Sequence, residues 1–300
     1  MRADARPLPI WRSFLFVPVL NDRFVRGAPS RGADCIQLDL EDAIPAERKE
    51  QARVRLPEVA DALAAQGCEV IVRINRSWRL ALPDMEAAVR RSILALTLPK
   101  VPNAEHIQTV VEVVGELERE RGLPEGHTGL IAMIETAEGL QRMDAIARAD
   151  PRLIGIIVGA EDLAVSMGMR PTHKSLMFPN VRAVAAARAA GCLPIGFVGS
   201  VAGYADLEAY RAIVREAREL GFVGGFAIHP DQVGILNEEF SPSSDEVEEA
   251  CAVIESFEKA VREGRGAVSL HGRMVDLPVV ERARAVVRAH ERILEKERLK

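Results

Sequence analysis

Eight short apolar runs recur along this chain: SFLFVPV (13–19), CIQLDLE (35–41), EVIVRIN (69–75), ALTLPK (95–100), GLIAMIE (129–135), LIGIIVGAED (153–162), LPIGFVG (193–199) and FVGGFAIHP (222–230). Segments of helical period separate them, for instance 104–121 and 204–220, the first opened by a Pro102-Asn103 start signal. Strand candidates alternating with helices in this way point to a (β/α)8 TIM barrel with a C-terminal helical extension, rather than to an open doubly wound sheet. A barrel needs a large core, and the chain can fill one. It is 48% hydrophobic and 28% charged over 300 residues, and α/β barrels reach this size as one unit.

The rhythm stops after His229-Pro230, which divides the chain into a barrel over 1–240 and a tail over 241–300. In FSPSSDEVEEACAVIESFEKAVREG a helix starts at Ser243 or Ser244, with Asp245 and Glu246 in its first turn. A glycine-flanked segment, GRGAVSLHGRMVDLP, follows, then a charged helix from about Val279. Roughly sixty residues are too few to fold comfortably alone. The tail is therefore expected to pack on the barrel or on a neighbouring subunit. A net charge of −5 with scattered arginines gives no reason to expect nucleic acid. No window approaches eighteen apolar residues, and the N-terminus MRADARPLPIW lacks the apolar core of a signal peptide, so a cytoplasmic protein away from membranes is expected. Cys35, Cys68, Cys192 and Cys251 form no C-x-x-C pair, which fits reduced thiols and argues against a zinc site.

Chemistry in such a barrel gathers at the C-terminal ends of the strands. Those ends carry Asp39, Glu41 and Asp42 after the second run, Arg73 and Asn75 at the third, Lys100 at the fourth, Glu135 at the fifth, Glu161-Asp162 at the sixth and His229 at the eighth. Glu135, like Glu138, can simply favour a helix N-terminus, or Glu135 can take a metal or catalytic role. Asp162 can be an N-cap or a ligand, with Gly159 allowing close backbone approach just before it. Two carboxylates on adjacent strand ends suit Mg²⁺, which takes one or two carboxylates and keeps waters for substrate to displace. A histidine before proline, as at His229, reads first as a hydrogen-bonded structural residue. Arg73 sits among apolar residues, and a buried guanidinium needs an anion: an internal acid such as Asp39 or Glu41, or a substrate carboxylate. Lys100 poses the same choice.

The segments RSFLFVPVLNDRF, GADCIQLDLEDAIPAERKEQAR, VIVRIN, LPKV, IAMIETAEGL, GAEDLAVSMG and GFAIHPDQV occur in that order. Together they resemble the citrate lyase β-subunit-like members of the HpcH/HpaI aldolase superfamily, which includes malyl-CoA and citramalyl-CoA lyases, from about Arg12 to Arg284. The resemblance implies a TIM barrel binding Mg²⁺ through Glu135 and Asp162, with the metal holding a 2-keto acid. It implies Arg73 as the clamp on the substrate carboxylate, and Glu41 and Asp42, with Asp39 and Lys100, as the surrounding polar shell. It further implies that GRMVDLP supplies Asp276 to a neighbouring subunit as general acid/base, which requires a homo-oligomer, a trimer or a hexamer. Without the resemblance Asp276 is an ordinary helix-start acid before Pro278.

The implied reaction is cleavage or formation of a 3-hydroxyacyl-CoA such as citramalyl-CoA or malyl-CoA, giving acetyl-CoA and a 2-keto acid. The same site would serve a malyl-CoA-type thioesterase or a CoA-independent aldolase, and the chain could instead be a subunit of a citrate-lyase-like complex. Against the last stands the tail, because such β-subunits often end soon after the barrel. Three positions depart from the family pattern. Val19 follows Pro18 where a glycine is usual, Gly225 stands where GKxxIHP places lysine, and PIGFVGSVAGY lacks the common ID dipeptide. All are expected around the mouth where an acyl-CoA would enter, which weakens the case for CoA as acyl carrier.

Overall fold

In the computed structural model, which describes residues 7–200 and 206–298, each apolar run becomes a strand. These are β1 (Ser13–Pro18), β2 (Cys35–Asp39), β3 (Val70–Arg73), β4 (Ala95–Leu98), β5 (Gly129–Ile134), β6 (Leu153–Val158), β7 (Leu193–Ile195) and β8 (Gly225–Ala227). All pair in parallel in the order β7-β6-β5-β4-β3-β2-β1-β8. A parallel bridge between Ile195 and Gly224 joins the two ends and closes the barrel. Several strands are shorter than their runs because Glu41, Asn75, Lys100, Glu135, Asp162 and His229 lie past the ladder, while Asp39 and Arg73 are its last members in β2 and β3. The site forms from these ladder ends and the residues just beyond them.

Side chains alternate along a strand, so every second residue enters the barrel. Phe14, Cys35, Ile71, Ala95, Ile131, Ile157, Ile195 and Phe226 fill the interior. Their neighbours Leu15, Ile36, Leu38, Val72, Leu96 and Leu130 point outward into a second core beneath the helices. Continuing the inward parity toward the strand ends brings up Asp39 from β2 and Arg73 from β3, which are paired in register, and Glu135 just past β5. One layer lower, Thr97 donates to buried Gln37 at 2.6 Å.

The helix Ala104–Glu120 starts as expected, capped by Asn103. The helix expected over 204–220 is Leu207–Leu220, capped by Asp206; Tyr204 lies outside the described residues, as do Val201, Ala202, Gly203 and the first residues of the N-terminal segment. The Asp206 side chain accepts from Ala209 N–H and satisfies one of that helix's orphan donors.

Residues 241–300 form a separate compact unit. Ser243 caps the helix Ser244–Arg262 in a capping box with Glu246. The glycine-flanked segment is a hairpin of β9 (Val268–Leu270) and β10 (Arg273–Val275), and the last helix is Leu277–Arg298, two residues earlier than expected. Phe257, Val275 and Val280 give the unit a small core of its own. Among the described residues no helix is long and apolar enough to cross a membrane.

Candidate functional site

The strand ends of the barrel converge on a cavity of about 400 Å³. Its floor is apolar, with Phe16, Met133, Ile157 and Phe226, and its wall carries Asp39, Asp42, Arg73, Glu135, Glu161 and Asp162.

Arg73 is the centre of the charge network. Its Nε and Nη2 donate to Asp39 Oδ1 and Oδ2, each at 2.7 Å, so Asp39 takes the planar fork. Nη1 lies 2.8 Å from Glu41 Oε2 and 3.2 Å from Asp42 Oδ2, and the guanidinium rests over the Phe16 ring. Burial pulls the Arg73 pKa down, but the Asp39 hydrogen bonds and the charges of Asp39, Glu41 and Asp42 outweigh it and raise the value. The internal-acid partner that the sequence allows is present as Asp39. Asp39 also accepts the backbone N–H groups of Glu41 and Ala43 at 3.0 Å, folding the acidic loop back over its own strand end.

That loop has outside supports with no motif to reveal them. Lys49 Nζ donates to the carbonyls of Leu40 (2.8 Å) and Glu41 (2.6 Å). Asn75 Nδ2 donates to Leu40 O and to Asp84 Oδ2, and Asp84 is held in turn by Arg53 at 3.0 Å. Asp84 is fully buried inside a helix, a poor place for a carboxylate unless it is paired this way. A mid-helix Asp would flag it in the sequence, but its partners are far apart in the chain.

Glu135 is 3% exposed. Burial, aided by the nearby charges of Glu41 and Asp162, pushes its pKa up from 4.5 to about 7, against the pull of the Lys100 N–H and ammonium. Oε2 accepts that N–H at 2.8 Å. A Cβ at Gly159 would overlap the Glu135 carboxylate, so the glycine is what lets β6 pass this close. Lys100 itself has a left-handed backbone (φ 50°), uncommon outside glycine. Its Nζ lies 3.0 Å from Glu41 Oε1 and 3.3 Å from Asp162 Oδ1. Burial lowers the Lys100 pKa, but the Glu41 hydrogen bond and surrounding acids prevail and raise it, so the side chain stays cationic. Glu41 is pushed upward, chiefly by burial, against the pull of Arg73 and Lys100.

Asp162 occupies the first turn of the helix Ala160–Met167, but Gly159 is the N-cap, so the N-cap reading of Asp162 does not hold. Thr136, not Glu135, caps the helix Ala137–Gln141, which leaves the Glu135 carboxylate to the cavity. His229 caps the helix Pro230–Glu239 through Nδ1, as a structural residue would. Asp276 belongs to the second unit, where it precedes the last helix and accepts from Val279 N–H at 3.4 Å. Two expected mouth positions are placed otherwise. Gly225 is buried, with its Cβ direction filled by Leu236 and Phe197, and Val19 is in the outer core. Both are buried packing positions in this chain.

Asp39, Glu41, Asp42, Glu135 and Asp162 thus face Arg73 and Lys100, leaving net negative charge around the cavity. Among the described residues no three His, Cys, Asp or Glu side chains gather in ligating geometry. The donors present are the buried Glu135 carboxylate, one of whose oxygens accepts the Lys100 N–H, and the half-exposed Asp162 carboxylate in the first helical turn after β6. That set fits a hard divalent cation that keeps most of its waters.

A model of the HpcH/HpaI aldolase/citrate lyase family matches residues 12–230. Citrate lyase subunit beta of Escherichia coli (strain K12) is 36% identical over 284 residues, 92% of each chain. The mitochondrial citramalyl-CoA lyase of Homo sapiens is 31% identical, over 95% of this chain and 87% of that one. CitE from Mycobacterium tuberculosis, solved in complex with magnesium, acetoacetate and coenzyme A, superposes with a TM-score of 0.72 at 27% identity, covering 97% of this chain and all of that one.

Proposed function

Because the chain belongs to the HpcH/HpaI aldolase/citrate lyase family, a family of lyases, we propose that it is a Mg²⁺-dependent carbon–carbon lyase acting on a 3-hydroxyacyl-CoA such as citramalyl-CoA or malyl-CoA. The observation that carries this reading is the buried Glu135 carboxylate, facing a cavity with Asp162 beside it and too little positive charge around it. Glu135 and Asp162 would hold the cation, which supplies Lewis-acid polarisation of keto-acid oxygens when bound. The remaining roles fall to the chain itself. Arg73, fixed by Asp39, receives the substrate carboxylate in exchange for Asp42, its most exposed partner. The apolar floor of Phe16, Met133, Ile157 and Phe226 excludes water beneath the reacting carbons.

Asp276 of a neighbouring subunit would move the proton at the carbon next to the thioester, and residues 241–300 would be the arm that delivers it. This makes a homo-oligomer, a trimer or hexamer, the working form. Support comes from the exposed apolar residues flanking Asp276: Met274 in the hairpin is 70% exposed and Leu277 at the start of the last helix 56%, a surface suited to burial on assembly.

A second reading is favoured by one comparison. The citrate lyase β-subunits of three bacteria are 32–36% identical to this chain and match over 92–95% of their own length. Such subunits therefore do not end at the barrel, and the tail does not separate them from stand-alone lyases.

The test is to incubate the purified chain with Mg²⁺ and malyl- or citramalyl-CoA, and to follow 2-keto acid and free CoA thiol. Keto acid with intact thioester is the expected result. Thiol without keto acid identifies a thioesterase. A monomer in gel filtration that forms neither product identifies a subunit awaiting its complex.

A further inference from the structure

Lys100 engages both carboxylates assigned above to the divalent cation. Its backbone N–H donates to Glu135 Oε2 at 2.8 Å, and its Nζ lies 3.3 Å from Asp162 Oδ1. Lys100 makes both contacts from a left-handed backbone (φ 50°) just past β4. Glu41 Oε1, 3.0 Å from Nζ, anchors the ammonium from another side. The ammonium therefore occupies the part of the cluster to which a divalent cation would also be drawn. Arg73 cannot play this part, since its fork is fixed on Asp39. Lysine suits it because its charge is compact and sits on a flexible stem.

We propose that Lys100 is a built-in competitor of the divalent cation. Its ammonium neutralises Asp162 while the site carries no metal. When the cation binds, the ammonium withdraws to Glu41 and keeps only that pair. The inference rests on the reading of Glu135 and Asp162 as cation ligands. Its consequence is a site that stays assembled without metal yet holds the cation loosely, until an anionic substrate adds its own oxygens.

Calorimetric titration with Mg²⁺ alone, on the full-length protein and on Lys100→Met and Glu135→Gln, tests it. Methionine keeps the chain length and loses the charge. Removing the competing ion pair should tighten Mg²⁺ binding about fivefold, the scale of one partly exposed pair. It should also lower the melting temperature of the metal-free protein, so the two readouts move in opposite directions. A residue with a merely structural role would lower both affinity and melting temperature. Unchanged or weaker binding in a folded Lys100→Met protein overturns the competitor, provided Glu135→Gln abolishes binding.

If Glu135→Gln binds Mg²⁺ like the unmodified protein, or the unmodified protein binds none, the ligand assignment itself falls and the competitor with it. Trace acetylation of the unmodified protein, read by mass spectrometry, needs no variant. Lys100 should label faster with saturating Mg²⁺ than without it, and equal or slower labelling overturns the proposal.

Discussion

Two buried arginine–aspartate forks stand at opposite ends of β2 and look alike in isolation. At the start of the strand, Arg12 donates through Nε (2.8 Å), Nη2 (3.0 Å) and its backbone N–H (2.9 Å) to Asp34. At its end, Arg73 grips Asp39 at 2.7 Å with two donors. Both pairs are almost wholly buried. The difference lies in what surrounds them. Around Arg73 there are further carboxylates, Glu41 and Asp42, then Glu135 and Asp162 across a cavity. A buried ion pair is thus weak evidence for a site. Charge left over beside a cavity is the stronger sign, because only it gives a cation or a substrate something to complete.

This contrast can be broken by experiment. The largest effect should come from Glu135→Gln, which keeps shape but removes the excess charge. Turnover with Mg²⁺ should fall by roughly a thousandfold while circular dichroism stays native; retained turnover would dissolve the distinction between the two ends of β2. Asp276→Asn follows, with a loss of about a hundredfold or more in kcat and unchanged Mg²⁺ affinity. Asparagine caps helices as well as aspartate does, so the fold should not suffer.

Asp34→Ala should cost stability rather than chemistry, about 3–5 kcal/mol in urea denaturation, because it removes one side of a buried ion pair. Asp39→Ala should cost about half of that, since Arg73 keeps Glu41 and Asp42 as partners. Equal losses would show that the extra acids do not compensate.

The smallest effect is on pH. The Glu135 pKa is raised by burial to about 7 in the folded state, from 4.5. The folded protein therefore holds this proton more tightly than the unfolded chain does, and stability falls as pH rises from 4.5 to 7. The melting temperature of the metal-free protein should drop across that window, and by less in Glu135→Gln. Mg²⁺ affinity, which needs the carboxylate, should rise across the same window.

Much of the site was legible before the fold. Polar residues ending apolar runs marked Asp39, Arg73, Lys100, Glu135 and Asp162, because alternation along a strand and its termination are local properties. Gly159 before two acids correctly signalled a close approach. The supports were not legible. Asp84, Asn75, Arg53 and Lys49 hold the acidic loop through contacts spanning up to 35 positions, and nothing near each residue announces its partner. The packing at Gly225 was misplaced to the mouth for the same reason, since its neighbours Leu236 and Phe197 come from other elements.

Periodicity and end signals in the chain were enough to determine eight strand–helix units, a helical tail and the side chains that gather at one end of the barrel. Tertiary structure alone decided who pairs with whom: Asp39 with the fork of Arg73, and Lys100 with Glu41, Asp162 and Glu135 at once. The physical reason is range. Strand and helix formation depend on neighbours a few residues apart, whereas the choice among several carboxylates for one cation is made by distances that exist only after the barrel has closed.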